Sequence, residues 1–419
     1  MRVYNKINKQ SRKESKKMAD MNATPTADRL HIGIFGRRNA GKSSVINAVL
    51  GQSLAIVSDV AGTTTDPVSK AMELLPIGPV VVIDTPGIDD EGELGALRVK
   101  KSYQVLNKTD LALLVVDAAV GMTKEDEALL RRIKEKHIPY IIAMNKMDMP
   151  GAKRHAVDGA LYVSAATGEG IEALKEAIGR HAPEEDGKLR IVGHLLSPSD
   201  FVVLVVPIDK AAPKGRLILP QQQTIRDILE ADATAVVVKE NELRNTLASL
   251  GKKPRMVITD SQVFDKVSAD TPRDVPLTSF SILFARYKGN LAGAVEGVRA
   301  LDTLRDGDRV LISEGCTHHR QCDDIGTVKL PRWISDYTGC HPDFSFTGGG
   351  EFPDDLSPYH LIVHCGGCML NEREMKYRLR CAADQGVPMT NYGVLIAYMQ
   401  GILKRSVEVF PDVASLLED

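Results

Sequence analysis

From Leu30 onward, short apolar runs read HIGIFG, VVVIDTPG, LALLVVDA, YIIAMNK and LYVSA, separated by segments that read as helices. Runs this short and continuous are expected of strands buried on both faces, and their alternation with helices predicts a parallel α/β sheet. The pattern breaks near residue 182 at HAPEEDGK, where Pro183, Gly187 and a cluster of charges interrupt it. A second α/β segment follows, with strands expected at FVVLVVPID, TAVVVKE and RMVITD and helices over 222–232 and 240–250. A third begins near Val267, with strands at RVLISEG, YHLIVHC and GVPMTNYG and helices over 290–304 and 372–385. Ahead of all three, residues 1–26 hold Arg2, Lys6, Lys9, Arg12, Lys13, Lys16 and Lys17 and hardly any apolar side chains. Such a stretch cannot offset the entropy of ordering, so a disordered basic tail is expected there. The expected organisation is a tail (1–26), a first α/β domain (27–185) and two smaller α/β domains (186–266 and 267–419).

Composition narrows the function. At 43% hydrophobic and 26% charged, the 419 residues read as several soluble domains. A net charge of -2 gives no whole-chain attraction for nucleic acid or an anionic membrane, and one tryptophan with 5% aromatics offers little for base stacking. No apolar run reaches the roughly 18 residues of a membrane span, and the start lacks a secretory core, so a cytoplasmic, reducing location is expected. All six cysteines lie after residue 315, which points to metal or redox chemistry in the last third rather than a disulfide framework.

GRRNAGKS, Gly36 to Ser43, has the spacing of a P-loop, follows a strand-like run and opens a helix-like one. Gly36 and Gly41 let backbone N–H groups reach phosphate, Lys42 adds a point charge on the β/γ oxygens, and Ser43 offers a hydroxyl to Mg²⁺. Three further elements end later apolar runs, where open α/β sheets bind ligands. Asp84-Thr85-Pro86-Gly87 would hold Mg²⁺ through water at Asp84 and contact a γ-phosphate at the Gly87 N–H. In Asn145-Lys146-Met147-Asp148 the Asp148 carboxylate can accept both N–H protons of the guanine edge, which makes GTP the ligand rather than ATP. Ser164-Ala165 would contact guanine O6 through backbone N–H.

These motifs match the translation-factor class of GTPases, and GRRNAGKSS followed by AGTTTD resembles its tRNA-modification and ribosome-assembly branch. The resemblance covers about residues 30–180. It implies that the whole loop, including Ala40 and Ser44, wraps the phosphates, that Thr64 (or the adjacent Thr63) closes on Mg²⁺, and that Asn39 is a candidate K⁺ ligand. One departure matters: Ile88 stands where many signalling GTPases place a water-orienting glutamine. Slow hydrolysis is expected, unless a cation, a partner or the acidic run Asp89, Asp90, Glu91, Glu93 assists.

Cys316-Thr317-His318 follows RVLISEG, and His364-Cys365-Gly366-Gly367-Cys368 ends YHLIV. Neighbouring strand ends would bring three thiolates and one or two imidazoles together, and the paired glycines would let one tight turn aim two sulfurs at one metal. A closed zinc site needs four protein ligands, whereas a [4Fe–4S] cluster on three cysteines keeps one iron open; the ligand types leave both available. The remaining cysteines (Cys322, Cys340, Cys381) and the histidines His319, His341 and His360 fall outside the pattern and read as ordinary residues.

C-x-H, a gap, then H-C-x-x-C behind a GTPase domain resembles the [FeFe]-hydrogenase maturation GTPases, from about residue 25 to the end. That resemblance implies an N-terminal P-loop GTPase domain followed by two smaller α/β domains, the last carrying a metal-cluster site. It implies Cys316, Cys365 and Cys368 as ligands of a [4Fe–4S] cluster, with His318 or His364 near the fourth position. It further implies a homodimer paired through the middle domain and a transient diiron subcluster as cargo. The partners it implies are radical S-adenosylmethionine maturases and apo-[FeFe]-hydrogenase. The alternative from the first domain alone is a tRNA-modification or ribosome-assembly GTPase with a structural zinc or iron–sulfur site.

Overall fold

The computed structural model describes residues 26–51, 67–74, 77–89, 92–181, 190–207, 217–289, 291–315 and 324–418. The expected basic tail lies, except for Thr26, outside them. The chain forms two compact units, 1–185 and 186–419.

The first unit is a six-stranded sheet in the order β2-β3-β1-β4-β5-β6. Its strands are β1 (Leu30–Phe35), β2 (Val68–Leu74), β3 (Gly78–Asp84), β4 (Leu111–Asp117), β5 (Tyr140–Asn145) and β6 (Leu161–Tyr162). The helices are α1 (Lys42–Leu50), α2 (Gly92–Val105), α3 (Lys124–Glu135) and α4 (Ile171–Arg180). The continuous apolar runs are explained by burial on both faces. Leu111, Leu113 and Val115 of β4 pack into one core with α1 and α4, while Ala112, Leu114 and Val116 pack into another against α3. Only β2 runs antiparallel, and its burial alternates, as an edge strand with one wet face does.

The second unit holds two four-stranded parallel sheets. One has the order β10-β9-β7-β8, with β7 (Phe201–Val205), α5 (Leu219–Leu229), β8 (Thr234–Val238), α6 (Leu243–Ser249), β9 (Met256–Thr259), α7 (Phe264–Asp270), β10 (Leu277–Ser279) and α8 (Phe280–Tyr287). The other has the order β12-β11-β13-β14. It comprises α9 (Leu291–Val298), β11 (Arg309–Glu314), α10 (Leu330–Thr338), β12 (Asp343–Gly348), β13 (Leu361–His364), α11 (Glu372–Asp384) and β14 (Met389–Asn391). Helices α12 (Tyr392–Met399), α13 (Leu403–Val407) and α14 (Pro411–Ala414) complete the unit.

Two expectations are corrected here. The boundary at 266/267 cuts the first of these sheets, because β10 lies beyond it and pairs with β9 through Leu277↔Val257 and Ser279↔Thr259. The two segments also do not have separate cores. Val202, Leu204 and Phe264 share one buried cluster with Val310, Ile312, Val363 and Val394, and only the far face of β11 and β13 (Leu311, Ile362) packs separately, against α11.

Candidate functional site

Two sites emerge, one in each unit, each at the carboxyl ends of strands where the sheet order reverses. In the first, the P-loop runs from the end of β1 into α1. Gly36 (φ 142) and Gly41 (φ 90) have conformations that side chains rarely adopt. A Cβ at Gly36 would strike the Val115 carbonyl, and one at Gly41 would strike the Asn145 amide, so both positions require glycine. Lys42 Nζ donates to the carbonyls of Gly36 (3.0 Å) and Arg37 (2.9 Å), folded along the loop that it would leave for phosphate oxygens. Ser43 Oγ donates to Asp84 Oδ2 at 2.9 Å, joining the two groups expected to meet Mg²⁺. Asp84 Oδ1 is buried with no hydrogen-bond partner among the described residues, and burial raises its carboxyl despite the Ser43 hydroxyl and the Lys42 charge. A cation's water shell would satisfy that oxygen, so the donor set fits Mg²⁺.

The guanine motifs interlock. Asn145, 2% exposed, donates from Nδ2 to Ala40 O (3.0 Å) and accepts at Oδ1 from the Ala165 N–H (3.1 Å), tying the P-loop to the base-binding segment. Ser164 Oγ donates to Asp148 Oδ1 at 2.6 Å, holding that carboxylate in place. Lys146, at φ 68, pairs with Asp117 Oδ2 at 2.7 Å. Asp117 was missed in the sequence; its signal was its place at the end of the LALLVVD run, where the β4–β5 register sets it opposite Asn145. Asp89 was read only as part of an acidic run. It accepts from the Arg38 N–H (2.6 Å) and from Arg37 Nε (3.3 Å), so the segment after β3 grips the P-loop. Ile88 is buried, 5% exposed. Asn39 is exposed with φ 60, Ser44 is exposed on α1, and Gly87 approaches the Arg38 backbone. Thr63, Thr64, Asp90 and Glu91 lie outside the described residues.

In the second unit, the β11–β13 register sets Ser313 opposite His364, which brings Gly315 beside Cys365. The Cys365 N–H donates to Ser313 O (2.9 Å). Its sulfur accepts from the N–H groups of Gly315 (3.0 Å) and Gly367 (3.4 Å). Gly367 (φ 61) makes the turn toward Cys368. Burial pushes the Cys365 thiol up to about 11 and raises Cys368 as well. These are sulfurs that backbone amides address and a metal would ionise. Cys316, which follows Gly315, and His318 lie outside the described residues, as do Cys322 and His319. Among the described residues no group of three or more His, Cys, Asp or Glu is placed to hold a metal ion.

His364 corrects an expectation. It is 1% exposed, with Nε2 3.1 Å from Arg378 Nη1 and Nδ1 2.7 Å from Cys365 O. A guanidinium only donates, so Nε2 accepts and the proton sits on Nδ1. Burial and the Arg378 charge push the imidazole down to about 3. Both ring nitrogens are engaged, so His364 presents no lone pair to a metal and braces the Cys365 turn instead. Arg378, 0% exposed, also reaches Glu374 (3.0 Å), Ser313 (3.3 Å) and Gly349 O (2.7 Å). Cys340 Sγ bonds with Thr338 Oγ1 and Leu304 O, Cys381 lies on α11 against the Leu311–Ile362 core, and His360 pairs with Asp308 at 3.3 Å.

Sequence profiles of known families match three stretches. The 50S ribosome-binding GTPase profile covers residues 31–146, the hydrogen maturase F dimerization domain 191–289 and the hydrogen maturase F tetramerization domain 292–409. The tRNA modification GTPase MnmE of Nitrosomonas europaea is 34% identical over 154 residues, 36% of this chain and 34% of its own length. MnmE of Desulfotalea psychrophila is 37% identical over 156 residues, 35% of this chain and 33% of its own. The chain thus spans about a third of the length of these curated relatives, in the GTPase domain only. Among solved structures, Era of Aquifex aeolicus bound to GDP and aluminium fluoride aligns with a TM-score of 0.33 and 22% identity, covering 50% of this chain and 93% of its own. A probable GTP-binding protein engB aligns at 0.30 and 22%, covering 36% and 98%. The N-terminal domain is a GTPase, its donor set serves GTP and Mg²⁺, and with both hydrogen maturase F domains in tandem behind it the chain belongs to the hydrogen maturase F family.

Proposed function

We propose that the protein carries a [4Fe–4S] cluster on Cys316, Cys365 and Cys368 and serves as the scaffold on which a diiron subcluster is held for delivery to apo-[FeFe]-hydrogenase. The observation that carries this reading is the Cys365–Cys368 turn. Two sulfurs sit at a strand end, Cys365 is addressed by two backbone N–H groups, and Gly315, the residue before Cys316 in the sequence, is one of the donors. Backbone N–H···S bonds compensate the negative charge of metal-bound thiolates, so the donor set fits an anionic cluster. Such a cluster, held by three thiolates, supplies one iron with an exchangeable position. The protein's own residues do the rest: His364 and Arg378 hold the turn rigid, and the GTPase unit changes the affinity for radical S-adenosylmethionine maturases and hydrogenase as GTP is bound and hydrolysed. Hydrolysis is slow because buried Ile88 cannot orient water. Self-association through 191–289 is supported by β8, a sheet-edge strand with Val237 44% exposed; Leu229, at the end of α5, is 59% exposed.

The test is an absorption spectrum with iron and zinc analysis on anaerobically reconstituted protein, beside a Cys316→Ser/Cys365→Ser/Cys368→Ser variant. A broad band near ~400 nm with about four irons per chain, absent from the variant, is expected. Zinc without a visible band would overturn the cluster reading and leave a zinc-bearing GTPase.

A further inference from the structure

Lys288 ends α8, its N–H closing the last turn on Phe284 O at 2.9 Å. It carries a charge at a place where only 5% of the residue meets solvent. A buried ammonium is costly unless its surroundings compensate it, so its place invites a reason. The side chain crosses from the segment of the first sheet to that of the second, where Nζ donates to Leu370 O at 2.5 Å. Leu370 closes the cysteine turn, since its N–H donates to Gly367 O at 3.0 Å. The ammonium is therefore fastened two residues past Cys368, on the turn that carries both thiols. Its charge lowers the Cys368 thiol against the burial that raises it.

Among the described residues, the other ionisable groups about the turn are engaged elsewhere. Glu314 is buried at the end of β11, and the Tyr392 hydroxyl donates to it at 3.2 Å. Arg378 is committed to Glu374, Ser313, His364 and Gly349 behind the turn. With a cluster bound, its thiolates would add negative charge beside the Glu314 carboxyl, and among the described residues Lys288 is a cation that reaches this turn from the neighbouring segment.

Resting on the cluster reading above, we propose that Lys288 is a positioning cation for the metal site: it makes reduction of the cluster easier by offsetting the charge that reduction adds. An oxidised [4Fe–4S] core on three thiolates carries one net negative charge. One electron, supplied in the test by dithionite, raises this to two with no bond made or broken. A fixed ammonium in a low-dielectric setting favours the more negative state. A plain structural tie to Leu370 O would instead hold the turn without regard to charge.

The experiment is an EPR-monitored redox titration of the full chain, reconstituted anaerobically, comparing wild type with Lys288→Met and Lys288→Arg and measuring iron in each. The expected result is full iron content in all three, a midpoint potential shifted to more negative values in Lys288→Met, and one near wild type in Lys288→Arg. Loss of iron in Lys288→Met alone also supports a charge-based role, because the arginine then rescues it. An unchanged potential in Lys288→Met at full iron content overturns the proposal, and equal iron loss in both variants reduces Lys288 to a tie. A wild-type protein without iron would overturn the cluster reading itself, a failure told apart by the iron assay before any titration.

Discussion

Asn145 and Asp148 divide the work of base recognition between a brace and a reader. Asn145 joins two loops without needing the base, whereas Asp148, steadied by Ser164, has an acceptor to offer guanine. Asp148→Asn should weaken GTP binding about 10- to 100-fold, the scale of a lost charge-assisted hydrogen bond, and leave cluster absorption untouched; nucleotide titration beside a spectrum measures both. His364 gives a pH signature. Its folded value is depressed to about 3 while an unfolded histidine titrates near ~6.5. The unfolded chain therefore binds the extra proton between those values, so stability is complete above about pH 6.5 and is lost as pH falls toward 3. In metal-free protein this one group should cost about 2 kcal/mol at pH 5. Denaturant melts at pH 7 and pH 5 should show that loss shrink in His364→Gln. The sequence made the Cys365–Cys368 turn and the P-loop legible because their spacing is local. Arg378 was hidden among the arginines of α11, although it shares the buried face of that helix with Met375 and Ala382, and an arginine at a core position was the available clue.

Elements were readable where burial is two-sided. The long apolar runs of β1, β3, β4, β5 and β7 became strands near the expected positions, and the helix expected over 372–385 became α11. Three strands were not foreseen, the short β10 and two longer ones. In β2 (VSKAMEL) charged and apolar positions alternate, and in β12 (DFSFTG) every position keeps some exposure, so neither makes an apolar run. Both are edge strands, held by pairing with β3 and β11 more than by their own hydrophobicity. The boundary at 266 failed for a related reason, since the three residues of β10 are too few to announce a strand. The other edge, β8, carries a prediction. A lysine on an edge strand discourages strand pairing, so Val237→Lys should raise the dissociation constant for self-association about tenfold or more, the effect of ~1.4 kcal/mol. Sedimentation velocity over a concentration series reads this, and an unchanged association would remove β8 from the interface.

At the scale of the molecule, 186–419 is a single folding unit despite matching two family domains. The first sheet's Val202 and Phe264 share a core with the second sheet's Val363 and Val394. Arg405 of α13 donates to Ser268 O (2.9 Å), Thr271 O (2.9 Å) and Pro272 O (2.8 Å), closing the C-terminal end of α7 from a helix more than a hundred residues later. Calorimetry of residues 186–419 should therefore give one cooperative transition. Two transitions would mean that the family boundary near residue 290 is also an energetic one. No helix among the described residues is long and apolar enough to cross a membrane.

That common core restricts how such a protein can be rearranged over evolutionary time. A GTPase domain with its own two cores is a part that can be gained, lost or exchanged in a fusion event with those cores intact. The two halves of the second unit lack that freedom: separating them would uncover the valines and phenylalanines that each hides for the other. Recombination should respect the join near residue 185 and avoid the one near residue 290, so the dimer-forming and cysteine-bearing segments are inherited together, whatever switch is attached in front of them.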